Sequence, residues 1–378
     1  MKDFVKYIMS AILIAIVSIY IINVAALNKE DSVRGSITIW AKNETYEYLS
    51  SEAANFMQEN ERVNINVVNI DSATYENQVK AAIESDNVPD VIQGNSSFIN
   101  DLKVNYGDLL NLEDNNKILN DYSDNFLGKR QVKRNNNYLG VPFTSRPLVL
   151  YLRKDILEQY NYSNNDIQTW EDLIKVGKDI FEKSEGKMRL LNAVEQDYDD
   201  LVSLLIMQAM EESEDKEKIK EVVDEKIYEL EVNNILNKDI NGQFFGRISS
   251  VNGMNELKDI NEECKWTVNN VPAVYPGSNR FYVSDEEKLS IIIKNDRNKN
   301  LYDTFIKYIS SDSKNNLDYV ISGKCFFDFT AVVANKEIEK EVNNFEGKSP
   351  LLVMSNIANK ANAIKDYDLY YEIYNEYK

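Results

Sequence analysis

Between residues 36 and 102 the hydrophobic period switches repeatedly between two and about 3.6, and that alternation restricts the chain to the α/β class. Ser36-Ile37-Thr38-Ile39-Trp40 alternates as a half-buried strand does, and Leu49, Ala53, Phe56 and Met57 then share one helical face. Val63, Ile65 and Val67 alternate again. Tyr75, Val79, Ala82 and Ile83 return to helical spacing, Asp90-Val91-Ile92 reads as a short buried strand, and Ile99 and Leu102 suggest a further helix. The order β-α-β-α-β implies a parallel sheet covered by helices. Ligands of such sheets gather outside the carboxyl ends of the strands, here near Trp40, Ile70-Asp71 and Gln93-Gly94-Asn95.

The middle of the chain is more helical. Thr169 reads as an N-cap with Asp172 three residues on. Asp199 to Met210 reads as an apolar core helix. In the acidic stretch Glu211 to Glu231, Ile219, Val222, Val223, Ile227 and Leu230 recur at helical spacing, so it reads as an amphipathic surface helix. Pro272 and Pro276 break the helical run, Ser290 to Ile293 reads as a strand, and Leu301, Phe305, Ile306 and Ile309 line another helix. The last third is helical and tyrosine-rich, and Tyr367, Tyr370, Tyr371 and Tyr374 read as packing residues. A chain of 378 residues suffices for two domains.

Charge and residue types narrow the function. The formal net charge of -19 repels phosphate backbones, so nucleic acid is not an expected partner. The chain has no histidine, which removes Ser-His-Asp and Cys-His catalysis and the commonest metal ligand; no cofactor or metal is expected. Cys264 and Cys325 are far apart in sequence and form no CxxC; they read as unpaired or buried thiols, with a disulfide between them as the alternative. Paired carboxylates could serve a glycosidase, but with 62 acidic residues some pairs lie close by chance.

Phe4 to Leu27 is almost wholly apolar behind Lys2 and Lys6, long enough to span a bilayer, with the positive charge marking the cytoplasmic side. It reads either as a cleaved signal peptide, with Val24-Ala25-Ala26 as the small-residue box, or as an uncleaved anchor. Both place the rest of the chain on the extracytoplasmic side of the membrane.

Four local features, in order, resemble the extracellular solute-binding proteins of sugar-type ABC importers, the maltose-binding-protein-like family. Gly35-Ser36-Ile37-Thr38-Ile39-Trp40 resembles the family's opening strand. Val88-Pro89-Asp90-Val91-Ile92 resembles its "PDV" strand, followed by Tyr106 to Leu112, similar to "G-x-L-x-x-L". Leu139-Gly140-Val141-Pro142 leading to Leu150-Tyr151-Leu152-Arg153-Lys154-Asp155 is similar to "GVP … YYNKD", and Gln168 to Leu173 to "P-x-TWDEL". Softer matches follow at Gly246 to Ser250, Tyr302 to Ser311 and Ser322-Gly323. The chain departs from the pattern in three places. Leu27 stands where a lipid-anchored Gram-positive member carries cysteine, Arg280-Phe281-Tyr282-Val283 replaces a glycine-rich segment, and Gln168 takes a common proline's place.

The resemblance implies a two-lobed type 2 periplasmic-binding-protein fold, parallel-type sheets flanked by helices, with the ligand cleft between the lobes. On that pattern residues 1–34 are the membrane segment and linker, 35–143 plus 284–312 the first lobe, and 144–283 plus 313–378 the second. Crossings are expected near Phe143 to Tyr151, Arg280 to Ser290 and Ser310 to Ala331. The implied function is binding of a mono- or oligosaccharide, by a monomer that does not change it chemically, for delivery to ABC permease subunits. A membrane-tethered sensor of the same solute is the alternative, and a glycoside hydrolase a remote one. Sugars present apolar faces and a rim of hydroxyls, which suit aromatic and polar side chains together. Candidate ligand contacts are therefore Trp40 at the first strand's end, Glu44 and Tyr46 opening the first helix, Asn95 past the third strand, Arg146 and Tyr151 in the first crossing, and Phe281 and Tyr282 near the second.

Overall fold

The computed structural model describes residues 33–106, 119, 133–134, 137–138, 140–260, 264–292, 298–311, 313–327 and 336–378. The apolar run Phe4 to Leu27 lies outside them, and no helix among the described residues is long and apolar enough to cross a membrane.

The alternation read from the sequence builds the first half of the fold. Strand β1 (Gly35–Lys42) leads into helix α1 (Asn43–Glu59), β2 (Val63–Ile70), α2 (Tyr75–Glu84), β3 (Val91–Asn95) and α3 (Ser96–Tyr106). β1 lies between β2 and β3 and runs parallel to both. The period of two sorts its side chains. Ile37, Ile39 and Ala41 join Tyr48, Leu49 and Phe56 of α1 in one core cluster. Trp40, of opposite parity, packs with Tyr75 and Val79 of α2 on the other face.

The sheet is mixed, not wholly parallel. Its order is β13-β6-β12-β3-β1-β2, where β6 is Val141–Pro147, β12 Val283–Ile291 and β13 Phe326–Phe327. β12 runs antiparallel between β3 and β6, because the chain enters it from the far side after completing a second sheet. That second sheet has the order β11-β7-β10-β8-β9. Its strands are β7 (Val149–Arg153), β8 (Met188–Asn192), β9 (Leu236–Asn237), β10 (Gln243–Ser249) and β11 (Trp266–Asn270). Lys133–Arg134 and Asn137–Tyr138 form a separate two-stranded pair, β4 and β5.

Helices α4 (Lys154–Gln159), α5 (Trp170–Lys183), α6 (Gln196–Glu212) and α7 (Lys216–Val232) belong to the second sheet's layers. The Thr169 cap forms as read. Thr169 Oγ1 accepts from the Asp172 amide at 3.2 Å, and Asp172 returns the contact to the Thr169 amide at 3.0 Å. α7 buries Ile219, Val223, Ile227 and Leu230, whereas Val222 is exposed. Helices α8 (Val251–Lys258), α9 (Lys299–Ser311), α10 (Ser313–Ile321), α11 (Pro350–Lys360) and α12 (Tyr367–Tyr374) complete the chain. α11 packs against β6 of the first sheet and β11 of the second.

Two strands fall on the other side of the lobe division expected from sequence. β6 runs to Pro147 within the first sheet, and Phe326–Phe327 pairs with β6 rather than joining the second sheet. The chain passes between sheets at Leu148, whose amide donates to the Tyr282 carbonyl at 3.0 Å, so the two crossing segments are hydrogen-bonded to each other.

Candidate functional site

A cavity of about 610 Å³ lies between the carboxyl ends of first-sheet strands on one side and helices α6 and α12 on the other. A deeper pocket of about 220 Å³ continues it, and Lys42, Ser72, Arg146 and Gln196 border both. Together they make one cleft of the size of small-ligand sites.

The first sheet supplies a polar floor from the carboxyl ends of its strands. Lys42, last residue of β1, forms an ion pair with Glu287 of β12. Gln93 of β3 donates through Nε2 to the other Glu287 oxygen, while its own Oε1 accepts from Thr45 Oγ1 at 2.6 Å. Tyr75 ties the strand ends together from behind: its hydroxyl donates to the Trp40 carbonyl and accepts from the Gln93 amide, both at 2.8 Å. Burial pushes its phenol pKa far up, so it stays neutral and can do both. Asn95 caps α3, its Oδ1 accepting from the Phe98 amide at 2.9 Å. At Gly94, beside it, an added Cβ would stand 2.7 Å from the Phe98 ring and 2.9 Å from Ile99, so only glycine lets α3 pack this close.

The second layer answers with α6 and α12. Arg146 of β6 reaches Asp200 of α6, its Nη2 donating at 2.9 and 2.7 Å to the two carboxylate oxygens. Asp200 also accepts from Gln196 and Ser249 at 3.2 Å each. Burial raises its carboxyl pKa, and Arg146 and these donors oppose that rise. Behind it a second buried pair, Arg247 with Asp197, braces the start of α6. Tyr370, Tyr371 and Tyr374 of α12 form a wall of the outer cavity, with the Tyr370 and Tyr374 rings stacked at 5.9 Å. α12 is fastened to the second lobe by ion pairs of Lys216 with Glu372 and Glu376 and touches α3 of the first. Ser145, 2% exposed, lines the inner pocket, and its hydroxyl has no hydrogen-bond partner among the described residues. A buried hydroxyl without a partner is an acceptor and donor awaiting one.

Of the residues singled out from sequence, Glu44, Asn95 and Arg146 line the cleft. The others do not. Trp40 packs against the buried cluster of Tyr75, Val79 and Ile92 on the far face of the first sheet. Tyr46 rests against the first core cluster. Tyr151 is fully buried, its hydroxyl donating to the Ser250 carbonyl at 2.8 Å. Phe281 and Tyr282 line a separate apolar pocket of about 150 Å³ beside the second crossing, with Met207, Met210 and Ile364. Lys42, Gln196, Asp200, Glu287 and the α12 tyrosines are cleft residues that the sequence did not single out. Lys42 was within reach, two positions past Trp40 and on the edge of the same strand end.

A family model of bacterial extracellular solute-binding proteins matches residues 40–268. The lactose-binding protein of Rhizobium radiobacter is 25% identical over 170 residues, which are 42% of this chain; the chain spans only 39% of the length of that relative. Among solved structures, the sugar-binding protein MalE from Xanthomonas citri superposes with a TM-score of 0.64 at 14% identity, covering 90% of this chain and 96% of that one. The cyclic alpha-maltosyl-1,6-maltose binding protein from Arthrobacter globiformis gives 0.66 at 13% identity, over 87% and 88%. The GacH receptor of Streptomyces glaucescens gives 0.61 at 16%, over 91% and 98%. At these identities the structural likeness establishes the fold alone, a mixed α/β arrangement with two principal sheets. With the family model matching well over half of the sequence, the chain belongs to the bacterial extracellular solute-binding protein family.

Proposed function

We propose that the protein binds a carbohydrate in this cleft on the extracytoplasmic side of the membrane and presents it, chemically unchanged, to an ABC importer. One observation carries the reading: the cavity of about 610 Å³ is walled by polar side chains of the first sheet and of α6, and by the tyrosines of α12. Tyrosine rings suit the C–H faces of a sugar, and Arg146, Asp200, Asn95 and Gln196 suit its hydroxyls. The named ligands of the relatives, lactose and maltosyl sugars, point the same way. The first lobe comprises residues 35–147 and 283–327, the second 148–282 and 336–378, and closure hinges on the crossings at Leu148 and Tyr282. The solute-holding unit is a monomer, tethered or exported through Phe4 to Leu27.

A thermal-shift screen of refolded protein against saccharides, polyols, amino acids and peptides tests this. A ligand at a hundred times its dissociation constant stabilises the fold by about 2.7 kcal/mol, a shift of several degrees. A shift confined to a related group of saccharides supports the proposal; one confined to amino acids or peptides rejects it.

A further inference from the structure

We infer that the solute is an amine-bearing carbohydrate, held through a protonated amino group as well as through hydroxyls; this rests on the carbohydrate reading above. Most cationic side chains of the cleft are already neutralised, and some of its carboxylates are not. Lys42, Arg146, Lys324 and Lys378 are the cationic side chains lining the two connected cavities. Lys42 is held by Glu287, Arg146 by Asp200, and Lys324 by Glu47. Lys378 lies over the Tyr374 ring at 4.8 Å.

The carboxylates are more numerous: Glu44, Glu76, Asp101, Asp199, Asp200 and Glu287. Glu287 and Asp200 are used in the pairs above, and Asp101 takes Lys80 at 2.8 Å. Lys80, one turn beyond Glu76, feels that carboxylate too but is hydrogen-bonded to Asp101. Among the described residues the Glu44 carboxylate accepts only from the Ser72 hydroxyl, at 2.8 Å. Among the described residues neither Glu76 nor Asp199 has an ion-pair partner, and the two stand on opposite lobes, Glu76 on α2 and Asp199 on α6. Closure brings both toward whatever fills the cavity.

A second observation makes this a ligand site and not merely an acidic rim. Ser145, buried and unpaired, lies in the inner pocket beside Arg146, and a solute hydroxyl would complete it. The cleft thus offers a deep position for a hydroxyl and outer positions for a cation. An anionic sugar meets the unpaired carboxylates and finds the buried cations already engaged.

The test is calorimetric titration of the refolded protein with a glucosamine oligosaccharide, its N-acetylated counterpart, a uronate oligosaccharide and a linear polyamine, at low and high salt. The amino sugar should bind roughly tenfold more tightly than the neutral N-acetyl form at low salt, with the advantage shrinking at high salt. Asp199→Asn and Glu76→Gln should each remove part of that advantage and leave the neutral sugar's affinity within about twofold. Equal affinity for the two forms, tighter binding of the uronate, or an advantage untouched by both substitutions overturns the inference and leaves the carbohydrate reading standing. Binding of the polyamine with no saccharide bound overturns the carbohydrate reading itself.

Discussion

Asp200→Asn probes the contact that joins the lobes. The Asp200 side chain is 2% exposed and that of Arg146 23% exposed, so removing the negative charge strands a guanidinium largely cut off from water. The new amide also turns an NH2 donor toward Arg146 Nη2 or toward Ser249, where each oxygen had accepted. Breaking one side of a buried pair costs about 3–5 kcal/mol. Arg146 keeps some solvent, so the lower end applies, about 3 kcal/mol. An unfolding entropy of about 2 cal/mol/K per residue gives roughly 0.8 kcal/mol/K for a chain of this length, hence a fall in Tm of about 4 °C. Thermal denaturation followed by circular dichroism measures it. The double variant Arg146→Met, Asp200→Leu removes both charges and should recover most of the loss. If the double variant loses the sum of the two single effects, the pair is not coupled and the reasoning fails.

Ser145→Ala should raise stability by up to about 1 kcal/mol, since the hydroxyl is buried without a partner, while weakening sugar binding; a loss of stability in denaturant titration would show that Ser145 is already satisfied. Trp40→Phe should lower Tm and leave saccharide affinity within about twofold, because Trp40 packs on α2's side of the sheet; a large affinity loss would place it in the cleft. Tyr374→Ala should weaken saccharide binding about three- to tenfold, the worth of one stacking ring, and also lower Tm because the ring stacks on Tyr370 and packs against the second core cluster. The Glu376 carboxyl is held down to about 2 by Lys216 and Lys220, so its contribution is full above the ordinary value of 4.5 and is lost as pH falls toward 2. The α12 tyrosine signal in near-ultraviolet circular dichroism should therefore change over that acid window, and Glu376→Gln should abolish the step.

The first three strands and their helices were legible because their faces differ: Ile37, Ile39 and Ala41 look inward to α1 while polar neighbours alternate, and the periods switch cleanly. The second sheet was harder to read. Val149 to Leu152 is buried on both faces, so its apolar run carries no period, and its antiparallel neighbours come from distant segments. For the site, topology points to the right strand ends and crossings but not to the face a side chain takes there. Asn95 and Arg146 line the cleft, whereas Trp40 and Tyr151, from a strand end and the same crossing as Arg146, do not. One step of strand parity turns a side chain to the opposite face. The α12 tyrosines pack as their spacing reads, and Tyr370, Tyr371 and Tyr374 border the cavity as well. Their i, i+4 spacing reads as a core stripe, and Tyr367 is indeed core, yet Tyr371 and Tyr374 sit at the stripe's edge where the helix borders the cavity. Pairings such as Lys42 with Glu287 join residues too far apart in sequence for any local pattern to announce.

The central claim is that one solute is held between the two lobes. Hydrogen exchange of the protein with and without its saccharide, resolved by peptide, tests it most directly. A solute held between the lobes protects residues 72–77 and 95–101 on the first and 196–203 and 370–375 on the second simultaneously, the segments that line the cavity. Protection confined to one lobe, or centred on Phe281 and Tyr282 at the separate apolar pocket, would contradict it.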